Sequence, residues 1–65
     1  MIHKYSVKIL GHLTSVSLEI EFWQELKRIA KQRNTTLENL ITSIDTREHT
    51  NLSSAIRVFI LQNRT

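Results

Sequence analysis

Along the first third of the chain, apolar and polar positions alternate. Tyr5, Val7 and Ile9 are apolar with Lys4, Ser6 and Lys8 between them, which is the period of two of a half-buried strand. Gly11 interrupts and reads as a bulge or bend. Leu13-Thr14-Ser15-Val16-Ser17-Leu18 then alternates again and is rich in β-branched residues. In a strand, Thr14, Val16 and Leu18 share one face and Leu13, Ser15 and Ser17 the other.

The period changes at Glu19. Phe22, Leu26 and Ile29 recur at i, i+4 and i+7, widened by Trp23 and Ala30, and predict an amphipathic helix. Glu19 and Glu21 fall in its first turn and Lys27, Arg28, Lys31 and Arg33 fall late, the sense the helix dipole favours. Asn34 reads as a left-handed C-cap. Thr35 or Thr36 can cap a second helix, and Thr35-x-x-Glu38 has the capping-box spacing. Leu37, Leu40, Ile41 and Ile44 form its stripe. After the polar run 45–50, Asn51 or Ser53 can cap a third segment. That segment is apolar almost all round, broken by Arg57, and is expected to be a helix buried between chains.

The pattern predicts a single domain over 1–65: a strand at about 13–18, helices at about 20–32, 36–45 and 53–62, and residues 1–10 as a basic arm or an additional strand. The fold class is mainly α with one short strand. The main chain of a single strand needs a partner. Either Tyr5 to Ile9 folds back through Gly11, or a second copy supplies it. Gly11-His12 is a weak hairpin signal beside Asn-Gly or Asp-Gly. The expectation is therefore an intertwined two-fold homodimer with an intermolecular antiparallel ribbon at its axis.

Size supports association. With 65 residues, no cysteine, no proline and one glycine, the chain buries only about 60% of its unfolded surface alone, and no disulfide can staple it. The net charge is +3, from nine basic and six acidic residues. Both ends are basic and the middle slightly acidic, which permits a polyanionic partner. No apolar run approaches a membrane span, and no export signal follows the N-terminus, so a cytoplasmic protein is expected. His3, His12 and His49 lack metal-ligand spacing. There is no Gly-rich phosphate loop and no nucleophile with a recognisable base, so no enzyme, catalytic residue, metal or cofactor is expected. Phe22 and Trp23 belong to the core stripe. Glu25 and Arg28 suit an i,i+3 pair. Arg57 has Asp45, Glu48 or a helix C-terminus as possible partners, or snorkels from an edge.

Two stretches carry a resemblance: Gly11-His12-Leu13-Thr14-Ser15-Val16-Ser17-Leu18-Glu19, followed by Phe22-Trp23, and Asn51-Leu52-Ser53-Ser54-Ala55-Ile56-Arg57-Val58-Phe59. Over about residues 5 to 61 the chain resembles the ribbon-helix-helix superfamily of bacterial and phage repressors and antitoxins, in particular a branch of small bacterial domains. The resemblance implies a transcriptional regulator that reads double-stranded DNA with a two-stranded ribbon in the major groove. It implies Leu13, Ser15 and Ser17 as the base-facing residues. Thr35 and Thr36, at the start of the second helix, would meet phosphate, with Lys4 and Lys8 adding charge. Val16, Leu18, Phe22, Leu26, Leu40, Ile41, Ile56 and Phe59 would form the dimer core. Leu13 stands where that branch carries arginine and offers an apolar surface instead, while Glu38 sets a negative charge in the turn that should greet phosphate. These two residues suit a second reading, a dimeric protein-interaction module, antitoxin-like or a complex-assembly partner, on the same scaffold.

Overall fold

Two strands, not one, open the chain in the computed structural model, which describes residues 1–44 and 51–63. Strand β1 (Ile2–Ile9) pairs antiparallel with β2 (His12–Glu19), from Ile9 opposite His12 at the turn to Ile2 opposite Glu19 at the far end. The connection is Leu10-Gly11, with φ of +51° and +83°. Positive φ at both central residues is what the type I′ turn requires, and the twist of that turn matches the twist of the strands it joins. The strand count is thereby corrected from one to two: residues 1–10 supply the additional strand offered as the alternative to a basic arm, and the order of strands and three helices otherwise follows the expected fold class. The turn signal is hidden because leucine occupies a place usually held by Asn, Asp or Gly. A left-handed leucine costs about 1 kcal/mol, and the eight-residue pairing on either side outweighs it.

Helix α1 (Ile20–Gln32) follows β2 without a loop. It ends on Asn34 at φ +56°, with the Thr35 N–H donating to the Ala30 carbonyl at 3.0 Å and the Asn34 N–H to the Lys31 carbonyl at 3.1 Å. This is the paired bonding of a Schellman cap. It turns the chain straight into α2 (Leu37–Ser43), where the Thr36 hydroxyl accepts from the Asn39 N–H at 3.0 Å. Thr36, rather than Thr35, is therefore the N-cap, and the Thr35–Glu38 capping-box spacing is not used. Helix α3 (Leu52–Gln62) is capped by Asn51, whose side-chain oxygen accepts from the Ser54 N–H at 2.8 Å.

One cluster joins all five elements. Val7, Val16 and Leu18 on the inner face of the hairpin meet Leu26 and Ile29 of α1, Leu40 and Ile41 of α2, and Ala55, Ile56 and Ile60 of α3. Leu18, Leu26 and Ile56 have no exposed surface at all. Of the residues expected in a dimer core, Val16, Leu18, Leu26, Leu40, Ile41 and Ile56 are buried inside one chain, while Phe22 and Phe59 are half-buried at its margin. α3 does not wait for a second chain. It buries Ala55, Ile56 and Ile60 against its own chain and leaves Leu61 exposed. Its all-round apolar sequence does not show which face turns inward.

Side-chain contacts fix the outer parts. Tyr5 of β1 stacks on Trp23 of α1, with ring centroids 4.0 Å apart and planes 5° from parallel, so the two rings cover each other's faces. Arg33, just past α1, donates to the Asn63 side chain at 2.7 Å and lies 5.4 Å over the Phe59 ring. It thus ties the end of α1 to the end of α3. Glu25 and Arg28 are ion-paired on the solvent side of α1.

Candidate nucleic-acid interface

Strand alternation sorts the hairpin into two faces. The inner one carries Tyr5, Val7, Val16 and Leu18. The outer one collects Lys4, Ser6 and Lys8 from β1 and Leu13, Ser15 and Ser17 from β2, all exposed. The register sets Lys4 opposite Ser17, Ser6 opposite Ser15 and Lys8 opposite Leu13. The residues expected to face bases and the two lysines of the expected arm thus lie on one surface, in directly opposed pairs. β1 is the scaffold that brings Lys4 and Lys8 there.

The free edge of β2 is closed at one point and open at another. The Ser17 N–H points away from β1 and donates to the Ser53 hydroxyl at 3.1 Å. The Ser17 carbonyl accepts from the Arg57 guanidinium at 3.4 Å. Arg57 Nε also donates to Glu19 Oε1 at 3.0 Å. By the alternation of an antiparallel ladder, the main-chain groups of Leu13 and Ser15 point the same way as those of Ser17, and no partner meets them among the described residues. The first two turns of α3 therefore clasp the sheet edge at its inner end only. Ser53, a candidate cap from sequence, caps the sheet rather than the helix.

Glu19 is the one carboxylate on the hairpin. Its own main-chain amide, and then Arg57, hold its carboxyl below the usual carboxylate range. It is ionised near neutrality and matched by a cation, so it does not oppose the lysines of the outer face. Arg57 is visible in the sequence as the odd charge in an apolar helix. Its partner is not, because Glu19 is 38 positions away. Asp45 and Glu48, the partners considered from sequence, lie outside the described residues.

The start of α2 borders the hairpin. Ser6, Val7, Lys8, Leu13, Trp23, Leu37 and Glu38 line a shallow cavity of about 320 Å³. From Leu37 the surface continues into a wider concavity of about 620 Å³ lined by Lys27, Ala30, Lys31, Asn34, Thr35, Thr36, Leu37 and Asn39. Thr35 and Thr36 thus sit in a polar hollow with Lys27 and Lys31, two of the cations late in α1. Neither lysine meets a carboxylate among the described residues. Thr36 accepts the Asn39 N–H as the helix cap, which leaves its O–H able to donate to an anion. Glu38 stands between the two hollows.

Among the described residues no group of three His or carboxylate side chains could hold a metal ion, and no helix is long and apolar enough to cross a membrane. A family model described as ribbon-helix-helix domain matches residues 2–63. Ribbon-helix-helix domains include DNA-binding transcription regulators and antitoxins, and they are typically dimeric and not enzymes. No curated protein and no solved structure matches the chain.

Proposed function

This chain belongs to the ribbon-helix-helix domain family, and on that premise we propose that it is a homodimeric, DNA-binding regulator of transcription that sets its hairpin in the major groove. The observation that carries the reading is the outer face of the hairpin. Lys4 and Lys8 flank a row of serines, and the hairpin's one carboxylate is neutralised by Arg57. A two-stranded ribbon fits the width of the major groove of B-DNA. Lys4 and Lys8, both on β1, reach phosphates along one side of the ribbon, where affinity comes from counterion release. Ser15 and Ser17 donate to or accept from base edges. Thr35, with Lys27 and Lys31, meets the backbone beyond the ribbon. Ribbon-helix-helix domains are typically dimeric, and two copies together carry twice the net charge of one.

Binding of the full chain to a random-sequence duplex, followed by fluorescence anisotropy from low to physiological salt, tests the reading. The logarithm of affinity should fall linearly with the logarithm of salt, with a slope of about 0.9 per phosphate neutralised. Absence of binding at low salt ends the proposal. It would favour instead the protein-interaction module, for which the observation is the apolar tip: Leu10 and Leu13 are 79% and 77% exposed, with Glu38 bordering the same hollow as Leu13.

A further inference from the structure

We propose that Leu13 selects thymine, by packing against the 5-methyl group that thymine alone presents in the major groove. The inference rests on the DNA reading above and names what that interface prefers. Lys4, Ser6, Lys8, Ser15 and Ser17, the other residues of the central outer face, can all hydrogen-bond. Leu13 cannot, and it is among the most exposed large apolar side chains of the protein. Ile2, the other aliphatic residue of this face, lies at the far end opposite Glu19.

The floor of the major groove is lined by acceptors and donors, apart from the thymine methyl. Over any other base edge, a leucine strips water from a polar atom and gives it no partner, which is unfavourable. Over the methyl it removes apolar surface from water on both sides, which is favourable. Leu13 thus discriminates twice, by a gain at thymine and a penalty elsewhere. The serines beside it accept either kind of base. Lys8 fixes where Leu13 sits: the two are opposed in a pair whose main-chain groups do not bond each other, the arrangement that brings side chains closest. A Lys8 ammonium on a phosphate therefore holds Leu13 over the adjacent base.

The test uses the full chain at low salt and four duplexes of equal length: alternating A·T, the same duplex with deoxyuridine for thymidine, G·C, and G·C with 5-methylcytosine. Uracil lacks only the methyl, and 5-methylcytosine restores one at the same ring position. The expected result is weaker binding to the uracil duplex, by roughly fourfold for each methyl group that Leu13 no longer covers, and a comparable gain on methylating cytosine. Leu13→Ala should lose most of the difference within each pair, thymine against uracil and 5-methylcytosine against cytosine, with an unchanged far-UV spectrum. Equal affinity of the unaltered protein for thymine and uracil duplexes overturns the role of Leu13 while leaving salt-dependent DNA binding in place, as does a thymine-over-uracil preference undiminished in Leu13→Ala. Failure to bind any of the four duplexes overturns the DNA reading itself.

Discussion

At the end of the hairpin nearest the helices, Val16 and Leu18 are sealed in the core, and the strand edge is clasped by Ser53 and Arg57. At the turn end, Leu10 and Leu13 stand in solvent, Leu10 holds a left-handed backbone, and even the inward-facing Thr14 is exposed. The same two strands thus serve two purposes along their length. The inner half holds the sheet to three helices. In the outer half only β1 still packs inward, through Val7 and Ile9, and the outer face and the β2 edge are left open to a groove or a partner. Because the ribbon is rigidly rooted, its exposed side chains are presented at fixed spacing, so that less ordering is left to be done on binding.

The contrast between the two ends is tested most directly by paired truncations. Leu18→Ala should lower the unfolding free energy by about 2–5 kcal/mol, the range for deleting a fully buried leucine side chain, a large fraction of what a domain of this size can hold. Leu13→Ala should change it by about 0.5 kcal/mol or less. Urea denaturation of both variants measures the contrast; similar losses would mean that Leu13 is buried in solution. A smaller effect, of opposite sign, is expected at the turn. Leu10→Asn creates Asn-Gly, the preferred pair for this turn type, and should stabilise by about 1 kcal/mol as the left-handed leucine is relieved. Destabilisation would show that the Leu10 side chain is held by neighbouring groups. The smallest effect concerns the clasp. Because the folded state holds the Glu19 carboxyl below its usual range, its contribution is complete above the unfolded value, near pH 4.3, and is lost as pH falls through the folded value. The urea midpoints of the unaltered protein and Glu19→Gln should therefore differ at neutral pH and converge in acid. A constant difference would assign the effect to something other than ionisation.

Local features are legible where a local cause sets them. The stripe Phe22, Leu26, Ile29 and the charge order along α1 mark a helix because burial repeats with the helical period. Asn34 marks its end because few residues tolerate positive φ. The alternation from Leu13 to Leu18 shows which side chains share a face. Non-local pairings are not legible. Arg57 stands out as a lone charge, yet nothing in its neighbourhood points to Glu19 or to the Ser17 carbonyl. α3, apolar almost all round, does not say which side turns inward. The hairpin escapes a reading of the sequence for a different reason: its turn uses leucine against local preference, and only the pairing of two whole strands compensates.

The set of faces follows from the amino-acid order alone: which residues of β2, α1 and α2 lie inside, which lie outside, and where α1 ends. These rest on periodicity and end-capping, which act over a few residues. The choice of partners belongs to the folded chain. β2 pairs with β1 of its own chain, α3 closes the sheet edge at Ser17 and leaves it open at Ser15, and Lys4 and Lys8 come to lie across from Ser17 and Leu13. Each depends on free energies gained only when distant segments meet, after the entropy of closing the loop between them has been offset.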